Sequence, residues 1–329
     1  MHTFLLPCFL FMALLLSSPS LLRCAEKAPA SDASEPLELL RQDIHIAFDL
    51  ASSEMQGKAT LVLPPKRALK LSLSGLEKIR VLVTETKQEI APNSDHTLTL
   101  DPAAQERTLS LSWQITAPPP GNDTGNLITP QGITLTGSWH PTTGENMIFS
   151  LNAKLPPDFS GVTEADEIEI TTEGEQNILK ATAPQPLRAI NFAAGPYTVL
   201  SRQLNNLTLY SYFFAEDEEL APAYLDKAVE YIQRYEALIG PFPYTRYAIV
   251  ENRLPTGYGM PGFTLLGQTV VRLPFIKDIS LGHEILHSWF GNAINAIEND
   301  ASGNWCEGLT TLLADQTYAE EQGTGTAYR

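Results

Sequence analysis

The chain has 329 residues, 43% of them apolar, and a formal net charge of −16. That apolar content suffices for more than one buried core, while a field of that sign repels phosphate and excludes nucleic acid as an expected partner. Three cysteines leave no room for a disulfide framework.

Residues 5–22 form an apolar run, Leu5 to Leu16, followed by Ser17-Ser18-Pro19-Ser20. A short hydrophobic core before small residues is the pattern of an export leader, assigned to 1–25, which makes the protein periplasmic or extracellular. An uncleaved N-terminal membrane anchor is the alternative. No other membrane-spanning run follows it. Ala, Ser, Pro and charge dominate Glu26 to Pro36, and a disordered spacer is assigned to 26–40.

From Leu37 the pattern changes. Asp43 to Leu50 alternates polar and apolar, and Gly57 to Pro64 answers it after a short polar break, which predicts a β-hairpin. Similar short runs over 68–73, 79–84, 97–100, 108–115, 147–151, 167–172, 187–192 and 197–200 predict further strands. Pro118-Pro119-Pro120-Gly121-Asn122 opens a loop, with 121–131 expected on the surface. Short strands at regular spacing make 41–200 an all-β domain. His45, His96 and His140 fall here without partners at ligand spacing and are expected to be surface or packing histidines.

The remainder, 201–329, reads differently. Leu209 to Phe214 is its opening strand, and Glu216 to Glu219 suits a helix start. Leu225, Val229, Ile232, Tyr235 and Leu238 fall at helical period within Tyr224 to Leu238. Gly240 to Tyr244 ends that helix, and Tyr247 to Val250 is expected to be a buried strand. Next come Pro255 to Phe263, rich in glycine, and then Leu281 to Asn292, which reads L-G-H-E-I-L-H-S-W-F-G-N.

His283 and His287 are four residues apart. On a helix that spacing puts both imidazoles on one face, one turn apart, as half of a zinc shell. Glu284 lies a fraction of a turn round, within reach of a water at the metal, where its expected role is general base. Ile285, Leu286, Trp289 and Phe290 give the helix a surface to bury, with Asp278 or Ser280 as caps at its start and Gly291-Asn292 at its end. The plainer reading is a core helix carrying two satisfied histidines. Against it stands a second apolar helical run opening at Asn304, with Glu307 twenty residues after His287. An antiparallel second helix would return Glu307 to the metal. Two His and one Glu leave a fourth position open, the catalytic rather than the structural zinc arrangement.

H-E-I-L-H-S-W-F-G-N followed by W-C-E-G-L-T resembles the aminopeptidase N family of zinc metallopeptidases, a branch of the gluzincins. The resemblance implies Zn2+ held by His283, His287 and Glu307, Glu284 as the catalytic base, and a peptide or protein substrate. It implies an α+β fold: an all-β saddle-like domain over 41–200, then the first part of a thermolysin-like catalytic domain over 201–329, expected to be incomplete. In that family the strand edge matching Gly259 and Met260 receives the extended peptide, so these two are the expected substrate-binding residues.

Three departures bear on specificity and chemistry. The family carries Glu-Asn where this chain has Pro261-Gly262, so the carboxylate that anchors a free α-amine is missing; a plain tight turn is the competing reading of the segment. The interval from His287 to Glu307 is one residue longer than the family's, whose spacing lands on Cys306. A thiolate is a good zinc ligand, which makes Cys306 a competitor for the third place, although Trp305 and Gly308 flank Glu307 as in the family. A loop over 293–303 can absorb the extra residue. Finally, the family's oxyanion-stabilising tyrosine lies on a later helix, and Tyr318 and Tyr328 are too close to Glu307 to match it. The expected function is a zinc metallopeptidase without strict aminopeptidase specificity. The alternative is a catalytically impaired homologue that binds a peptide or a partner.

Overall fold

The computed structural model describes residues 38–119, 121, 125–255, 257–295 and 304–323. The leader, most of the spacer and Tyr328 lie outside the described residues. The fold is mostly β-sheet with a few helices, and no described helix is long and apolar enough to cross a membrane.

The predicted hairpin is present. Arg41–Asp49 pairs antiparallel with Glu54–Leu63, Ile44 opposite Ala59. Ile44 and Ile46 point inward and Asp43 and His45 outward, as the alternation requires. Each isoleucine so buried contributes about 1.5–3 kcal/mol. On its other side Arg41–Asp49 runs parallel to Ile148–Leu155. The first strand therefore lies inside an eight-stranded sheet, whose order is Glu167–Glu173, Gln176–Thr182, Ile148–Leu155, Arg41–Asp49, Glu54–Leu63, Arg107–Thr116, Glu77–Val83, Gln88–Ile90.

Two indoles organise the core under this sheet. Trp113 lies flat across Gly57, where a Cβ would sit 2.2 Å from the ring; only glycine leaves that space. Its Nε1 donates to the Trp139 carbonyl at 2.8 Å, and Trp139 Nε1 donates in turn to the Ile190 carbonyl at 3.1 Å. His140 is buried beside them. Its Nδ1 donates to the Pro141 carbonyl at 2.9 Å and its Nε2 accepts from Ile190 N at 3.3 Å, which fixes a neutral tautomer. His45 and His96 are exposed.

The segment 121–131 departs from expectation. Asn126–Thr129 is a strand paired with Gly132–Leu135, and Leu127 and Ile128 are buried rather than on the surface. These two strands join Phe192–Gly195 and Ser160–Val162 in a four-stranded sheet. The strand expected over 187–192 begins only at Phe192, because Leu187 and Ile190 are spent on bridges to Met147 and the Trp139–His140 pair.

A five-stranded mixed sheet carries the rest. Tyr197–Leu204 and Leu207–Phe214 form a hairpin; Arg246–Asn252 and Phe263–Gly267 continue it in parallel, and Gly257–Met260 ends it antiparallel. A parallel neighbour needs a long crossover, and the helix Ala221–Leu238 supplies it, burying Tyr224, Leu225, Ala228, Tyr231, Ile232 and Tyr235 as one stripe. The short helix Ser280–Leu286 packs on that stripe at Gly282. A Cβ there would lie 2.9 Å from both Tyr231 Cε1 and the Tyr235 hydroxyl.

Candidate metal centre

The His-bearing helix is shorter than its apolar run suggests. It spans Ser280–Leu286, with His287 as its C-cap still in αR conformation. Ile279 precedes it and no side chain caps it. His283 and His287 nevertheless share a face, their ring centroids 5.0 Å apart. Leu281, Ile285 and Leu286 face the core opposite them.

Each imidazole is held through Nδ1. His283 Nδ1 meets Asp315 Oδ2 at 3.1 Å, and His287 Nδ1 meets the Phe290 carbonyl at 3.1 Å. Both partners are acceptors that a proton on each Nδ1 would satisfy, and in that tautomer each Nε2 would offer a lone pair to a cation. Those lone pairs face Glu307, with His283 Nε2 3.3 Å from Oε2 and His287 Nε2 3.4 Å from Oε1. One ligand atom from each of the three residues lies within 4.8 Å of the others. The Thr310 hydroxyl, 3.4 Å from His283 Nε2, is within 3.0 Å of the Cys306 and Glu307 carbonyls, to which it donates. Two imidazole nitrogens and a carboxylate thus converge, a donor set that suits a divalent cation and zinc in particular. Among the described residues the converging group is His283, His287 and Glu307; Cys306 lies outside it, packed beside Gly291.

Glu307 enters from Trp305–Thr310, in the first turn of that helix. The helix then widens into a π-helical segment, Thr311–Gln316, before an α-helical end at Thr317–Glu321, which carries Tyr318. Asp315, on the π segment, was not legible as a site residue, because a plain α-helix would turn it about 80° away from Glu307.

The edge strand Gly257–Met260 roofs the site. Burial pushes the Glu284 carboxyl up to about 7, against the pull of His283 and of a backbone hydrogen bond from Gly259. A Cβ on Gly259 would lie 2.6 Å from the Glu284 carbonyl and 2.7 Å from His287 Cβ. Gly259 and Met260 both line the cleft with the two histidines. Met260 also reaches the large β part, where its sulfur lies 3.3 Å from Asn191 Nδ2. Pro261 and Gly262 form the two-residue turn between Met260 and Phe263, with Gly262 at φ +79. Proline first and a positive-φ glycine second is what a type II turn requires. The two turn residues themselves carry no carboxylate, while Glu164 and Asp166 line the cavity that Met260, Pro261 and Gly262 share.

No protein-family model matches the sequence, and no curated protein matches it either. Solved structures do. An M1 zinc metallopeptidase from Deinococcus radiodurans superposes with a TM-score of 0.65 at 17% identity, over 87% of this chain and 72% of that one. The fold is that of M1 zinc metallopeptidases. A mutant of the Deinococcus radiodurans enzyme bound to a Tyr-Ser-Ala substrate gives a TM-score of 0.62 at 15% identity with the same coverage. A two-domain M1 mutant bound to L-arginine gives 0.63 at 15%.

Proposed function

We propose that the chain is a zinc-dependent metallopeptidase that hydrolyses peptide bonds without strict aminopeptidase specificity. The observation that carries this reading is the convergence of His283 Nε2, His287 Nε2 and a Glu307 oxygen with both Nδ1 atoms tied off behind them. The M1 fold supports it, and so does the Tyr-Ser-Ala substrate held by one structural neighbour. In this reading 41–200 is a saddle-like β domain, 201–329 is the first part of a thermolysin-like domain, and 1–25 directs export.

Zinc at this site would supply a Lewis acid for the scissile carbonyl and lower the pKa of water there. The chain's own residues do the remainder. Glu284, half-buried and next to His283, takes a proton from the attacking water and passes it to the leaving amine. The backbone of Gly259 and Met260 aligns an extended substrate as an added strand on the sheet edge. The Pro261-Gly262 turn offers no anion to an α-ammonium group, so free and N-blocked peptides compete on similar terms.

The same turn favours a second reading, a homologue that binds peptide without cleaving it. One experiment separates the two: zinc content and cleavage of a mixed peptide library, on the wild type and on Glu284→Gln. Zinc in both proteins with cleavage only in the wild type supports the peptidase. Turnover retained in Glu284→Gln overturns the assigned base, and zinc without cleavage in the wild type leaves the binding module.

A further inference from the structure

We infer that Asp315 is the positioning residue for His283, brought to the metal centre by the π-helical segment Thr311–Gln316. The inference rests on the zinc reading above and concerns residues that the sequence motif does not include.

The geometry is specific. Asp315 Oδ2 lies 3.1 Å from His283 Nδ1, on the side of the ring opposite Glu307. A carboxylate behind a ligating imidazole fixes the tautomer, orients the ring and makes the distal nitrogen a better donor. His287 has only a neutral partner in the same place, the Phe290 carbonyl, so the two histidines are not equivalent.

Helical phase explains why the segment is wound as it is. Asp315 follows Glu307 by eight residues. In a continuous α-helix eight residues turn about 800°, which leaves Asp315 roughly 80° round from Glu307. A π turn accommodates one extra residue, so eight residues cover the angle of seven, about 700°, within about 20° of the same face. Glu307 and Asp315 then meet the two nitrogens of one imidazole, Glu307 at Nε2 and Asp315 at Nδ1. The widened segment is the element that lets one helix serve both sides of His283.

The test uses the full chain and measures zinc affinity by competition with a chromophoric chelator, alongside the absorption spectrum of the cobalt(II)-substituted protein. Asp315→Ala is expected to weaken zinc binding about 10–100-fold and to shift the cobalt bands. Asp315→Asn, nearly isosteric and still an acceptor, is expected to fall between it and the wild type, and Asp315→Glu to recover part of the loss. Deleting Leu312, which is half exposed on the π segment, shortens the interval to seven and should keep Asp315 in place with near wild-type affinity. Melting of the metal-free proteins reports whether each variant folds. Wild type and Asp315→Asn binding zinc equally, with the same cobalt spectrum, would overturn the role of Asp315 alone. A wild type that binds no zinc would overturn the metal reading beneath it.

Discussion

Asn292 Nδ2 donates to the Gly259 carbonyl at 3.0 Å. That bond ties the turn after His287 to the strand that roofs the site. Gly259 allows the approach because it has no side chain.

Gly259→Ala is therefore expected to be disruptive. Its Cβ would meet the Glu284 carbonyl and His287 Cβ well inside contact distance, and overpacking of this kind costs about 1–3 kcal/mol. Thermal unfolding should show a lowered midpoint, and zinc titration a weaker site, since strand or histidine must shift. An unchanged midpoint with unchanged zinc affinity would contradict the packing described.

Metal removal should destabilise the folded chain. A ligand that binds only the native state adds about 2.7 kcal/mol at a hundred times its Kd. Dialysis against a chelator is expected to lower Tm, and added zinc to restore it, in the wild type and in Glu284→Gln. His283→Ala should show no zinc-dependent shift. A wild type whose Tm ignores zinc would count against the site.

Two buried groups should shape stability against pH from opposite sides. Burial holds His140 down at about 4, against an ordinary value of 6.5. A depressed histidine contributes stability that is complete above 6.5 and is lost as pH falls through 4, about 3 kcal/mol in all. Glu251 is buried on the opposite sign: burial first, and then the neighbouring Asp217 carboxylate, push it up to about 8 from 4.5, against the Phe214 N–H that donates to it. A raised carboxyl contributes stability that is complete below 4.5 and is lost as pH rises through 8. Glu251→Gln should therefore gain on the wild type between pH 6.5 and 8, by on the order of 2 kcal/mol. His140→Gln should flatten the acid limb instead. Denaturant unfolding at stepped pH measures both, and parallel curves for wild type and variants would refute the assignment.

The turn at Pro261-Gly262 offers a gain-of-function check. Gly262 supplies the positive φ, so Pro261→Glu can keep the turn while adding a carboxylate beside Met260. Charge-assisted hydrogen bonds are worth about 1.5–3 kcal/mol, so preference for free-amine over N-acetylated peptides should rise about tenfold or more. No change in that ratio would mean the turn does not face the substrate's amine.

Much of this was legible from residue order. The alternation of Asp43 to Leu50 and its partner strand is a period-two signal that one buried face enforces, and the i, i+4 histidines are a helical one. What escaped was set by long-range pairing. Asn126–Thr129 is four residues between a glycine and a proline, too short to show a period, and its place in the sheet depends on pairing with Gly132–Leu135. Gln176–Thr182 begins with polar residues and gains its place from Ile148–Leu155 and Glu167–Glu173. Asp315 escaped because a helical wheel assumes one pitch, and the helix here has two.

The parallel pairing of Arg41–Asp49 with Ile148–Leu155 also has a bearing on how the chain is made. Synthesis delivers the N-terminal strand first, and its hairpin can form as soon as Leu63 has emerged. Its other flank then stays an open strand edge until Ile148–Leu155 arrives. For that interval the nascent chain carries a templating edge of the kind that recruits foreign strands. Exposed Arg41, Asp43 and His45 on the outer face guard it meanwhile, so a strand at the centre of the finished sheet carries the charges expected of one at its rim.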